Sequence, residues 1–217
     1  VASELSSRSS LSDSRTPHEI EDLLATNGYV RLLGVDEAGR GPVAGPVVAA
    51  AVVWGDAPRL EGVDDSKKLK PARRAELDLA IRATAEAVGV GVVEPADIDR
   101  LNIREATKLA MRLAIVECLG RCRTRPQLVV VDGDFVPVAR AGVPEQCFVG
   151  GDARSFTIAA ASIVAKEQRD RLMLELAGRY PGWGLEKHKG YLTAAHRQAI
   201  ERLGLSPIHR RSFKVDR

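Results

Sequence analysis

The sequence contains no apolar run approaching the roughly 20 residues that a membrane-spanning helix needs, and no charged-then-apolar leader opens it. The expectation is a soluble, cytoplasmic protein with no membrane contact. Cysteine is scarce as well. The three present, Cys118, Cys122 and Cys147, are an odd number, and Cys118 and Cys122 fall one helical turn apart, a poor geometry for a bridge. A metal site on them would need further Cys or His nearby, which the sequence does not supply, so they read as buried free thiols. Internal repeats and an inter-domain linker are also missing. The 217 residues, 45% of them hydrophobic, therefore read as one domain with a real core, expected to work as a monomer.

What the sequence does have is an uneven charge. The formal net charge is only +3, yet from Arg179 onward nine Lys/Arg face three acids, giving that segment +6 and the preceding chain −3. An acidic body with a basic C-terminal segment suits a polyanionic partner gripped away from an acidic centre.

Residues 1–17 are Ser-rich and polar without hydrophobic period, and read as a flexible tail. "HEIEDLLATNG" reads as a short helix closed by Asn27-Gly28. "YVRLLGVD" and "VVAAAVVW" read as strands joined through a Gly/Pro turn. Pro71 opens a helix to about Val88, "VGVGVVE" is a strand, and about Leu101 to Gly120 is helical. "QLVVVDGD" is a strand ending at Asp132, and "EQCFVGGD" one ending at Asp152. "SFTIAAASIVAKEQRDRLMLELAGRY" is a long helix and "PGWGLEKHKGY" a loop, after which Thr193 caps a last helix that Gly204 stops. Strands interleaved with helices give an α/β fold with a C-terminal helical appendage.

Asp36, Asp132 and Asp152 thus each end a predicted strand, with Glu37 beside the first. Ligands of open α/β sheets collect outside the carboxyl ends of the strands. A strand-end Asp alone is usually a turn former; three of them with an adjacent Glu point to a shared cluster. Such a cluster is unfavourable unless a cation fills it, and hard Mg²⁺ or Mn²⁺ want oxygen ligands. Two such ions about 3.5–4 Å apart can hold a scissile phosphate. Adjacent strand residues face opposite ways, so Asp36 and Glu37 reach one site only if the chain bends or bulges at Ala38-Gly39. The following "GRGPVAG" is not the dinucleotide fingerprint, because its third glycine is misplaced and Pro42 interrupts helix entry. It also lacks the Gly-Lys-Ser/Thr ending of a P-loop. It is either a plain tight turn or a site of close approach by a sugar-phosphate.

The motifs "DEAGRGPVAGP", "DDSKKL", "LNIREATKLAM", "VVVDGD", "GGDARSFTIAAASIVAKEQRDRLM", "HKGYLTAAH" and "SPIHRRSF" resemble, in order and from about Leu32 to Phe213, those of the ribonuclease HII family. The resemblance implies an RNase H-like fold: a central mixed β-sheet flanked by helices, with a C-terminal helical extension over about 179–217 inside a single catalytic domain, 18–217. It implies an endonuclease that hydrolyses the RNA strand of RNA/DNA hybrids and cuts 5′ of single ribonucleotides in duplex DNA, leaving 3′-hydroxyl and 5′-phosphate. Its cofactor would be Mn²⁺ or Mg²⁺, two ions in the catalytic complex. The family's four metal-binding acids fall on Asp36, Glu37, Asp132 and Asp152.

By the same resemblance Gly39-Arg40-Gly41 senses the ribose 2′-hydroxyl, the one group that distinguishes RNA from DNA at a single position. Tyr191 packs on the sugar of the following deoxynucleotide. Ser66, Lys67, Lys68 and Lys166 sit where the family touches the nucleic-acid backbone, or are solvated surface residues. Arg210 and Arg211 either serve the substrate or pair with acids of the body, and His188 is a loop residue. Ribonuclease HIII, a related family, differs in its glycine motif and adds an N-terminal domain, so the Arg between the glycines favours HII. Two other readings stay open: a protein that binds hybrids without cutting them, and a small-nucleotide phosphohydrolase.

Overall fold

The computed structural model describes residues 18–215; the polar tail expected over residues 1–17 lies outside them. Five strands form one mixed sheet in the order β3-β2-β1-β4-β5: β1 Leu32–Ala38, β2 Val47–Val53, β3 Ala87–Val93, β4 Leu128–Asp132 and β5 Glu145–Phe148. β1 pairs antiparallel with β2 and parallel with β4, and β4 pairs parallel with β5. The composition dictates the centre. β2, "VVAAAVV", has no polar residue and is buried along its whole length, as a strand covered on both faces must be.

Helices cover the two faces. On one lies α4, Ile103–Arg121, whose Ala106, Ala110, Met111, Ala114, Ile115 and Cys118 pack on Leu33, Val35, Val129 and Val131. On the other lies α5, Phe156–Arg179, whose first half is a run of small buried residues against Ala50 and Val52. The contact with β1 is so close that a Cβ on Gly34 would overlap the Thr157 carbonyl and stand 2.6 Å from the Ile158 nitrogen. α1, Glu19–Ala25, lies against Leu32, Leu128, Val130 and Ile158.

The elements differ from expectation at five places. The strand expected to end at Asp36 runs on to Ala38, because Glu37 and Ala38 stay paired with Ala49 and Val48. α2, Pro71–Thr84, stops a turn short of Val88, because residues from Ala87 join the β3 ladder. The helix expected over about Leu101 to Gly120 is α4, and an unexpected helix precedes it: α3, Pro95–Leu101, ends at Asn102 (φ 71°), whose side chain accepts from the Arg104 and Glu105 amides and caps α4. The loop before Tyr191 contains the one-turn α6, Leu185–His188. The strand expected to end at Asp152 ends at Phe148, and Asp152 sits on a single 3₁₀ turn, Gly151–Ala153.

The C-terminal segment, with α7 at Ala194–Leu203, packs on the outer half of α5 through Met173, Leu185, Ile208 and Ala44. Ala44 pairs with His209 as an isolated bridge. The glycine turn between β1 and β2 is thereby held between the sheet and this segment. Among the described residues no helix is long and apolar enough to cross a membrane. Of the cysteines, Cys118 is buried, while Cys122 and Cys147 are only partly so; all are free thiols.

Candidate active site

Asp36 and Asp132 follow Val35 and Val131, the last paired residues of the parallel β1–β4 ladder. Strand alternation puts both on the α5 face, because Leu33, Val35, Val129 and Val131 all belong to the α4 side. Asp152 comes from the 3₁₀ turn that leads into α5, capped at Ser155. One carboxylate oxygen from each of the three lies within 4.8 Å of the others. Backbone amides fix two of them: Glu37 N–H donates to Asp36 Oδ1 at 2.6 Å, and Gly151 N–H donates to Asp132 Oδ1 at 2.7 Å.

Glu37 is outside this trio. The β1–β2 ladder runs uninterrupted through Asp36↔Ala50, Glu37↔Ala49 and Ala38↔Val48, so the expected bend or bulge is not there. Alternation turns Glu37 the other way, toward Arg40 Nη1 at 3.4 Å. It stays at the rim of the trio: burial raises its pKa against the pull of Arg40, with Asp132 adding to the rise and Lys67 opposing it.

Burial raises the Asp36 carboxyl well above its ordinary range, and Glu37, Asp132 and Asp152 add to the rise against the Glu37 amide. Burial, then Asp152, likewise raises Asp132. Lys67 Nζ stands 3.4 Å from Asp152 Oδ2. Burial pulls its pKa down, but Asp152 and Asp36 outweigh that and hold it up. An exposed ammonium is a weak counterweight to three clustered acids. The donor set is all carboxylate, with no His or Cys in the cluster, which fits a hard divalent cation.

Beside the acids the glycine turn is held by two buried arginines, Arg169 and Arg210, 1% and 0% exposed. Arg169 donates to the Pro46 and Ala44 carbonyls at 3.1 and 3.3 Å. Arg210 donates to Gly39 O at 2.6 Å, Arg40 O at 3.0 Å and Gly45 O at 2.9 Å. Neither forms an ion pair among the described residues. Burial, with Arg169 nearby, pushes Arg210 down to about 9, leaving it charged at neutral pH. A trans peptide points its C=O and the next N–H in opposite directions. Drawing the Gly39 and Arg40 carbonyls onto Arg210 therefore turns the Arg40 and Gly41 amides away from it, as donors on the other side of the turn. Gly39 has φ +94°, and a Cβ there would overlap the Arg169 guanidine and come within 2.8 Å of Pro46 O, so the position requires glycine.

Arg40 lies over the Phe135 ring at 5.6 Å, which Arg104 and Lys108 of α4 also approach at 5.2 and 5.8 Å. Tyr191, 48% exposed, stands beside Gly41: a Cβ there would be 3.6 Å from Tyr191 Cε1. The structure thus brings Asp36, Asp132, Asp152, Glu37, Gly39, Arg40, Gly41, Lys67 and Tyr191 into one region.

The remaining candidates have internal partners. Ser66 is buried, its amide donating to Ser162 Oγ at 3.1 Å. Lys68 pairs with Asp64 at 3.1 Å, and Lys166 with Asp170 at 2.6 Å. Arg210 is structural, but through carbonyls, not acids. The Arg211 amide donates to Asp99. His188 ends α6 and bonds the Trp183 carbonyl. Sequence reasoning missed Arg169 and the Phe135 cations. The signal for Arg169 was its i+4 spacing from Ala161 and Ala165 and to Met173, all buried on one face of α5.

The family model for ribonuclease HII matches residues 33–216. A protein named ribonuclease HII from Geobacter sulfurreducens is 53% identical over 196 residues, 90% of this chain and 88% of that one. Another from Maricaulis maris is 52% identical over 184 residues, 85% and 82% of the two chains. Among solved structures, the Archaeoglobus fulgidus ribonuclease HII in a complex with PCNA superposes with TM-score 0.72 at 29% identity, covering 86% of this chain and 96% of that one. Ribonuclease H2 from Pyrococcus horikoshii gives 0.69 at 30%, covering 85% and 94%.

Proposed function

The chain belongs to the ribonuclease HII family, and from that premise we propose that it is an endonuclease that cuts 5′ of single ribonucleotides embedded in duplex DNA as well as within the RNA strand of RNA/DNA hybrids. As a ribonuclease HII it is a metal-dependent nuclease of the ribonuclease H type. The products of the proposed reaction are a 3′-hydroxyl and a 5′-phosphate. The observation that carries the reading is a three-carboxylate cluster within 4.8 Å, set directly beside a turn whose amides face away from its buried support.

Asp36, Asp132 and Asp152 would hold Mg²⁺ or Mn²⁺, with Glu37 at the rim, and we take two ions as the working set. When bound, such ions stabilise charge on phosphate oxygens and lower the pKa of water. The chain's own groups do the rest. The amides of the Gly39-Arg40-Gly41 turn donate toward the ribose, where a 2′-hydroxyl can accept and a deoxyribose offers nothing. Tyr191, beside Gly41, packs on the next sugar and so reads the step from RNA to DNA. Lys67 supplies positive charge where the backbone passes Asp152, and the basic C-terminal segment continues that attraction along the duplex. Ser66, Lys68 and Lys166 complete the proposed contacts to the nucleic-acid backbone, and each also has an internal partner, Ser162, Asp64 and Asp170 respectively. A monomer is taken as the working unit of this proposal.

The test uses two labelled duplexes, identical except that one carries a single ribonucleotide, incubated with Mn²⁺ or with EDTA. A metal-dependent nick directly 5′ of the ribonucleotide, and none in the all-DNA duplex, is the expected result. Binding without a nick by the folded protein would give the function to the non-cutting hybrid binder instead.

A further inference from the structure

Three histidines lie behind Tyr191, and none of them touches the acids. His196 on α7 is fully buried, His209 is 2% exposed, and the ring of His188 stacks on that of His196 at 4.1 Å and 20°. Their hydrogen bonds have a single allowed direction. The Ser206 backbone N–H lies 2.9 Å from His209 Nδ1, with the Ser206 hydroxyl at 2.7 Å. An amide N–H can only donate, so Nδ1 accepts and the proton of the neutral ring is on Nε2. That proton faces His196 Nε2 at 3.1 Å. His196 must then carry its own proton on Nδ1, which lies 3.0 Å from the Tyr191 carbonyl oxygen. His188 is fixed in the same way: Gly190 N–H donates to its Nδ1 at 3.2 Å, and its Nε2–H donates to Trp183 O at 2.8 Å.

One end of this chain of donors is therefore the main chain of Tyr191. The other is the turn carrying His209, and the next residue is Arg210, which holds the Gly39 and Arg40 carbonyls. The chain also closes directly, because Val43 N–H donates to Gly190 O at 3.0 Å and Arg210 N–H donates to Val43 O at 2.8 Å. Tyr191 and the glycine turn approach the same point from two sides, and the histidine pair is the brace between them.

We propose that His196 and His209 are positioning residues that set the distance between Tyr191 and the Gly39-Arg40-Gly41 turn, and so determine how strongly the enzyme prefers a single ribonucleotide over a continuous hybrid. This rests on the reading of Tyr191 as the residue that packs on the deoxynucleotide after the ribose. The brace gives that ring a fixed station although nearly half of it is open to solvent. It touches neither substrate nor cofactor and acts only through the tyrosine.

The readout is the ratio of cutting rates on the single-ribonucleotide duplex and on an RNA/DNA hybrid, with folding checked by thermal melting. His209→Leu keeps bulk but has neither donor nor acceptor. It is expected to lower the ratio about tenfold, the worth of one hydrogen bond. His209→Gln, which carries an acceptor and a donor on one planar group, should restore most of it. In a Tyr191→Ala background His209→Leu should cause no further change, since both act through the same ring. If His209→Leu does not fold, His196→Gln is read by the same ratio. An equal loss on both substrates, or an undiminished effect of the histidine change in the Tyr191→Ala background, would reduce the pair to a purely structural role. A Tyr191→Ala enzyme with an unchanged ratio would remove the tyrosine reading, and the brace's proposed consequence with it. The two failures are thus told apart.

Discussion

The carboxylate cluster and the arginine-supported turn beside it are opposite solutions to burying charge. In the cluster, like charges face one another: Asp36, Glu37 and Asp132 all have raised pKa values, with burial the largest cause. In the turn support, Arg169 and Arg210 are as deeply buried, yet five carbonyl oxygens receive their N–H groups. In the proposed reading the first region is completed by a cation, whereas the second finds its partners within the fold. The acids repel one another in the folded chain, while the turn is held by five hydrogen bonds.

Breaking the comparison at the acids should have the largest effect. Asp36→Asn or Asp132→Asn should cut activity by about a thousandfold or more, since cation binding there is worth several kcal/mol to the reaction. The same variants should melt higher than the unchanged protein in EDTA, because a repelling charge is gone. Unimpaired cutting by either would remove these acids from the chemistry. Arg210→Met should act the other way, leaving the carbonyls of Gly39, Arg40 and Gly45 without their donor. At about 1–3 kcal/mol for each buried group left unpaired, a stability loss of about 3 kcal/mol or more should appear in urea titrations.

Cation binding sharpens the contrast further. At a hundredfold excess over its dissociation constant Mn²⁺ should add about 2.7 kcal/mol, raising the melting temperature by about 5–10 °C, and Asp36→Asn should lose most of that rise. The smallest effect is the difference in pH response. Burial, with His196 next to it, pushes His209 down to about 4, below the ordinary value of about 6.5. Its neighbours His188, His196 and Arg211 are neutral or cationic, and none offsets an added proton. Between those pH values the unfolded chain binds a proton that the folded one refuses, so this contribution is whole above about 6.5 and lost as pH falls toward 4. The raised carboxyls have the reverse sign: without metal, their repulsion is relieved by acid. The melting advantage of Asp36→Asn in EDTA should therefore shrink as pH falls toward the ordinary carboxylate range. A constant advantage would contradict the raised Asp36 pKa.

The strands were legible along the sequence because runs such as "LVVVD" and "VVAAAVV" are short, rich in Val and bounded by Gly or Pro, although their order in the sheet was not. Asp132 could be placed at a strand end for the same reason, whereas Asp36 lies two residues inside β1, which stays paired with β2 as far as Ala38. Asp152 was found for a partly wrong reason: it ends no strand, and its place depends on a 3₁₀ turn between β5 and α5 that no periodicity announces. The parity argument correctly separated Asp36 from Glu37, but the supposed bulge was an attempt to reunite residues that the sheet keeps apart. Arg210 was hardest to read. An arginine near a basic terminus looks like surface until the chain folds back and three carbonyls close on it. His196 and His209, thirteen positions apart, become partners only once the last turn is docked.

The parallel register of β1 and β4 has one further consequence. Because Asp36 and Asp132 follow paired residues on adjacent strands, the gap between them is set by the inter-strand spacing of about 4.8 Å, not by the reach of long side chains. The sheet acts as a ruler made of peptide bonds. Its gradation survives any substitution in the core that leaves the ladder intact, but it has no tolerance for a shift in length. Inserting or deleting a single residue within either strand would swing its acid to the α4 face, erasing the measurement while every strand remained in place.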